Sequence, residues 1–244
     1  MNEQSARKIN QEESRSAGTT SPEAFIQFLH FAERLKCIER HGWTSTGRTE
    51  SVADHSWRLA LMALLSARYL EKEVDLAKLL KIAIVHDLVE IFAGDIPYFL
   101  APEGSHAQKF KVENEHQAMD KIRSLLGDID GEEIASLWYE YEDSKSYEAQ
   151  VVRALNKIEA QLQQNEADIS TWLECEAVDA TNGFISKSCE FDVFLTALSD
   201  ATIAESRRKA AQEKSDFGFS VPNSISLNPR EHKAGLQDST SFIA

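Results

Sequence analysis

The chain has 244 residues, 42% of them hydrophobic, with only 10 glycines and 5 prolines and a formal net charge of −14. This length suits one domain with ragged ends, and the acidity argues against a nucleic-acid polymer as partner, because binding its backbone needs clustered Lys and Arg. Cys37, Cys175 and Cys189 form an odd set without CxxC spacing, which gives neither a disulfide framework nor a zinc knuckle.

The first twenty residues carry no periodicity and no apolar signal core, so 1–20 read as a disordered leader and the cytoplasm is the expected compartment. No run of 18 apolar residues occurs, so no membrane partner is expected. Ser21-Pro22-Glu23 opens a helix, and Phe25, Phe28, Leu29, Ala32, Leu35 and Ile38 carry it to about Arg40. HGWTSTGRTE follows as a polar loop. Ser51 opens a second helix to about Leu70, with Val52, Trp57, Leu61, Leu64 and Leu65 inward. Asp75 caps a third, ending near Gly94, whose apolar residues nearly all round mark it as the central buried helix. A loop with Pro97 and Pro102 spans 95–105, and helical patterns cover about 107–126, 132–142, 147–166 and 189–211. Only these two prolines interrupt Glu23–Val221, which permits long helices. The expected architecture is an all-α helical bundle over 21–210, with 211–244 a loose tail, docked if at all through Phe217 and Phe219.

The third helix carries an anomaly. VHDLVEIFAGD sets His86, Asp87 and Glu90 among aliphatics, and a buried carboxylate is costly unless paired or coordinated. Spacings of three and four residues let these side chains converge on one side of a helix. A His-Asp pair supplies one nitrogen and one oxygen to a divalent cation, and His55 on the preceding helix is the candidate third ligand. Taken alone, His55 reads as an ordinary hydrogen-bonded helix histidine, and Asp95 as a turn residue after Gly94.

The segments LKCIERHGW, GRTESVADHSWRLALMA, LLKIAIVHDLVEIFAGDIP and YEAQVVRALNKIEA, in this order over about residues 25–165, resemble the HD-domain metal-dependent phosphohydrolase superfamily. Within it they look like the YfbR-type 5′-deoxynucleotidases and their eukaryotic relatives. The resemblance implies the HD-domain helical bundle and a divalent ion (Co, Mn, Zn, Fe or Mg) held by His55, His86, Asp87 and the residue at 156. There the family has aspartate and this chain has Asn156, a neutral ligand. Glu159, three residues on, is a possible substitute.

The resemblance also implies that Glu90 and Asp95 are the catalytic carboxylates. One orients or deprotonates the attacking water, and the other protonates the leaving alkoxide or holds a sugar hydroxyl. The ion lowers the pKa of that water toward neutrality. Arg40 matches a family phosphate-binding arginine. Arg48 matches another that braces the site or touches phosphate, and otherwise reads as a surface arginine. Trp43 is a candidate for stacking on a base or for core packing.

The implied reaction removes the 5′-phosphate of a (deoxy)nucleoside monophosphate. Two alternatives stay open: an HD hydrolase of triphosphates, cyclic nucleotides or guanosine tetraphosphate, and a weakened nucleotide-binding protein, which Asn156 keeps in play. The relatives imply a homodimer.

Overall fold

The computed structural model describes residues 21–217, so the expected leader and residues 218–244 lie outside the described residues. The elements run α1 (Pro22–Ala32), β1 (Glu39–Trp43), β2 (Thr49–Ser51), α2 (Val52–Ser66), α3 (Leu76–Val85), α4 (Glu90–Ala93), α5 (His106–Glu142), α6 (Tyr147–Glu166), α7 (Glu174–Asn182) and α8 (Val193–Phe217). The bundle is all-α apart from one small antiparallel hairpin, β1 on β2, with Glu39 opposite Ser51 and Trp43 opposite Thr49.

Helix starts follow local chemistry. The Ser21 hydroxyl accepts from the Ala24 N–H, and Ser51 forms a reciprocal capping box with Asp54. Several expectations need correction. The first helix stops at Ala32, and residues 39–43 extend into β1, because pairing with β2 satisfies their backbone where a helix would leave them. The polar loop after Arg40 is therefore the turn of a hairpin. The expected helix over 75–94 breaks after Val85. Residues 86–89 continue in tight i→i+3 turns, with Leu88 N–H on Val85 O and Glu90 N–H on Asp87 O, both 3.0 Å. Gly94 then ends α4 at φ 72°, a conformation side chains rarely adopt. The expected tail at 211 starts too early, because α8 stays helical to Phe217. Helix α7 went unforeseen among polar residues.

The most buried helix is α6, not α3. Ala149, Val151, Val152, Ala154, Leu155 and Ile158 are all fully buried on it, while Ile84 on α3 is 59% exposed. Burial of Leu155 and Ile158 is worth about 1.5–3 kcal/mol each and fixes how α6 is rotated. One core gathers α2, α3, α6 and α8 around Leu59, Ile82, Leu155 and Leu195. A second joins Phe28, Leu88, Ile91 and Met119 with Trp138. Gly127, at φ 75°, divides α5 into two runs, both of which contribute to this second core. Ile82 and Ala83 belong to the first core and Leu88 and Val89 to the second, so His86 and Asp87 lie on the seam.

A candidate metal centre and its pocket

At that seam three ligand atoms converge. His55 Nε2 lies 3.3 Å from His86 Nε2 and 3.6 Å from Asp87 Oδ2, and His86 Nε2 lies 3.0 Å from the same oxygen. The far side of each ring fixes its tautomer. His55 Nδ1 hydrogen-bonds the carboxylate of Glu159, and His86 Nδ1 donates to the Ala83 carbonyl at 2.9 Å. With both Nδ1 atoms donating, both Nε2 lone pairs point at each other and at a carboxylate oxygen. Three acceptors this close need positive charge among them. Edges of 3.0–3.6 Å suit ligand atoms each about 2.1 Å from one ion. The donor set fits a divalent cation on this ground.

The surrounding charges hold the ligands in binding form. Burial and the nearby Arg40 guanidinium push His55 down to about 4, so its imidazole is neutral at pH 7. Burial alone would raise Asp87, but its carboxylate is held below its usual range, with the Arg40 guanidinium 3.3 Å away favouring the charge. Glu159 is fully buried, and burial opposes its charge. The bond from His55 and the Arg58 guanidinium, whose Nε donates to Glu159 Oε1 at 2.7 Å, keep it ionised. Glu50, His55 and Glu159 also have ligand atoms close together. There the two carboxylates are already matched by Arg40, 3.4 Å from Glu50, and by Arg58, so we read them as supports for the histidine and the arginines.

Through Asp87 the triad adjoins a cavity of about 310 Å³ lined by Arg40, Trp43, Asp87, Glu90, Asp95 and Asn156, among others. Ligand pockets start near this size. Helix α6 lines it from Asn156 to Gln164, a length of about 12 Å at the helical rise. Arg40 NH1 sits 3.3 Å from Asp87 Oδ2. Glu90 is pushed well above its ordinary value by burial and then by Asp87 and Asp95. Burial also raises Asp95, against the pull of Arg40 and Lys111 and a hydrogen bond from the His41 backbone. Asn156 donates its amide to the Tyr141 hydroxyl at 2.8 Å, and the Tyr141 ring meets His86 edge-on at 5.4 Å.

Arg48 is not brought to the pocket. Its side chain is 59% exposed and paired with Asp54 at 2.8 Å, the acid of the α2 capping box. Capping chemistry claims it before any substrate can. Lys111 and Glu50 are among the pocket groups that escaped the sequence reading. Lys111 pairs with Glu115 at 3.2 Å and lines the cavity near Glu90, but an i,i+4 pair on a helix looks like surface chemistry. Glu50 gave no signal in a segment that reads as polar loop.

Comparison with known proteins agrees with this geometry. A family model described as HD domain matches residues 32–190. The chain is 36% identical over 146 residues to 5′-deoxynucleotidase HDDC2 of Dictyostelium discoideum, covering 57% of this chain and 75% of that one. It is 34% identical over 145 residues to the Homo sapiens protein of the same name, covering 59% and 68%. A crystal structure of a predicted metal-dependent phosphohydrolase from Magnetospirillum magnetotacticum superposes with a TM-score of 0.64 at 27% identity, over 77% of this chain and 93% of that one.

Proposed function

The chain belongs to the HD-domain family, and we propose that it is a metal-dependent phosphomonoesterase that removes the 5′-phosphate of (deoxy)nucleoside monophosphates. The observation that carries this is the meeting of two imidazole lone pairs and a carboxylate at the end of a cavity that also presents a guanidinium and two raised carboxyls. His55, His86 and Asp87 would hold the ion, with the Asn156 carbonyl as a weaker fourth ligand. Bound there, a divalent cation supplies Lewis acidity toward water and phosphate.

The protein's own groups do the rest. Arg40, braced by Glu50, takes phosphate oxygens, and Lys111 adds a second positive charge that the acidic chain needs locally. Glu90, whose carboxyl is raised by burial and by Asp87 and Asp95, delivers a proton to the leaving 5′-oxygen. Asp95, on which Arg40 and Lys111 pull against burial, serves as the proton acceptor. Two nitrogens and one oxygen favour Mn, Fe, Co or Zn over Mg, which prefers oxygen.

The test is phosphate release. The stripped protein, reloaded with each metal, is offered deoxynucleotides, triphosphates and cyclic nucleotides. Release confined to the last two, or absent with every metal, overturns the reading. An Asn156→Asp variant should bind Mn or Co at least about tenfold more tightly by calorimetry, since carboxylate ligands add charge to the site; unchanged affinity removes position 156 from the shell.

We take 21–217 as the folded unit and the cytoplasm as its compartment, which three free cysteines suit. No helix among the described residues is long and apolar enough to cross a membrane. On α2 the expected inward face is corrected: Val52 is buried, but because Leu59 and Ala63 take the core side, Trp57 is 67% exposed, and Leu61, Leu64 and Leu65 continue its exposed stripe at helical spacing. We assign this face to a homodimer contact, for which sedimentation should report two copies.

A further inference from the structure

Three glutamines line the pocket from α6, and two of them are occupied. Gln161 Nε2 donates to the Ala180 carbonyl at 2.9 Å and to Ser206 Oγ at 2.8 Å. Gln163 Nε2 donates to the Trp43 carbonyl at 2.6 Å, while its Oε1 accepts from Arg58 at 2.8 Å. Gln164 differs: its Nε2 is buried and has no partner. A buried amide left unsatisfied is costly, so such an atom on a residue that lines a cavity marks where a ligand's polar atom belongs. Glu90 Oε2 is buried and unpartnered in the same cavity. His41 Nε2, also on a lining residue, has the Glu176 carboxylate 3.4 Å away; of the other two, Glu90 Oε2 sits beside the triad and Gln164 Nε2 far from it.

Position and neighbours say which part of a ligand Gln164 meets. It lies two turns beyond Asn156 on α6, about 12 Å along the helix, which leaves room for a sugar in between. Trp43 and Trp172 line the pocket with it. The Trp172 indole donates to the Gln164 backbone carbonyl at 2.9 Å, which pins the main chain there. Flat aromatic surface beside one free amide is the chemistry that receives a nucleobase, by stacking plus one edge hydrogen bond. A half-turn of the amide exchanges donor for acceptor, so one side chain serves a base carbonyl or an exocyclic amino group.

We propose that the far end of the pocket is a nucleobase subsite in which Gln164 hydrogen-bonds the base edge beside Trp43 and Trp172. The inference rests on the nucleotide reading above and deepens it: the presence of a base matters more than its identity.

Two measurements test it on the full chain. Calorimetric titration with phosphate-free deoxynucleosides should show binding to the parent that Gln164→Ala weakens about five- to tenfold, the share of one hydrogen bond. In hydrolysis, Gln164→Ala should raise KM for deoxynucleoside 5′-monophosphates by the same factor, with kcat within about twofold. Turnover of 2-deoxyribose 5-phosphate, which has no base, should be unchanged, and that also shows the variant to be folded. Equal deoxynucleoside binding by parent and variant overturns the proposal, as does an equal loss on the baseless substrate. If the parent releases no phosphate from any nucleotide, the phosphomonoesterase reading fails, while the binding arm still decides the subsite.

Discussion

An Asp87→Ala variant is expected to lose at least about a thousandfold in kcat/KM for phosphate release, which is about 4 kcal/mol of transition-state stabilisation. Asp87 Oδ2 is the only anionic atom among the three ligand atoms at the seam, and it is also the partner of Arg40 NH1 at 3.3 Å. Its removal leaves two neutral imidazoles to hold a dication and frees Arg40 from its place beside the ion. Elemental analysis should therefore show metal falling well below one equivalent in the variant while the parent retains it. The loss is catalytic rather than structural, because the side chain lies in a pocket wall and not in either apolar core. A variant that keeps both its metal and its rate would remove Asp87 from the chemistry and leave the triad a structural cluster.

How legible this site was depends on what each residue does for the backbone. The His-Asp pair stood out because it interrupts an aliphatic run, and that interruption marks the place where the chain crosses from one core to the other. Helical spacing correctly suggested that 86, 87 and 90 share a neighbourhood, but the segment is a tight turn after α3 and not its interior. The hairpin was illegible: β1 is five residues long and lacks alternation, and only its pairing with β2 defines it. That hairpin nevertheless delivers Arg40 and Trp43 to the pocket. Arg48 behaves as the surface arginine its sequence also allowed, paired with Asp54 six residues on. Glu159 was visible only as a spare carboxylate near position 156. Its task, holding His55 from behind, depends on α2 and α6 packing together, which no local pattern encodes.

That task makes Glu159 the second large lever. A Glu159→Ala variant should lose about 3–5 kcal/mol of unfolding free energy, because it strands one side of a buried charge network. Arg58 Nε would lose its 2.7 Å partner, and His55 Nδ1 would be left as a buried donor. With its tautomer no longer fixed, His55 presents its Nε2 lone pair only part of the time, and metal affinity should fall about 10–100-fold. Excess Mn or Co should then restore part of the stability, since an ion that binds only the folded chain stabilises it by mass action.

The pH dependence has a defined sign. The carboxyl of Glu159 is depressed in the folded state, so its contribution is present above its unfolded value, near 4.3, and fades as pH falls through the folded one. His55, depressed to about 4, adds in the same direction: the unfolded chain takes up a proton near 6.5 that the folded chain refuses until about 4. Parent stability should therefore decline from about pH 6.5 downward, and the gap between parent and Glu159→Ala should narrow below about pH 4.5. Urea unfolding at pH 7.5, 5.5 and 4 separates the two contributions. If Glu159→Ala unfolds at the parent's midpoint at pH 7.5, the carboxylate does not hold His55, and the tautomer that aims both imidazoles at one ion needs another source.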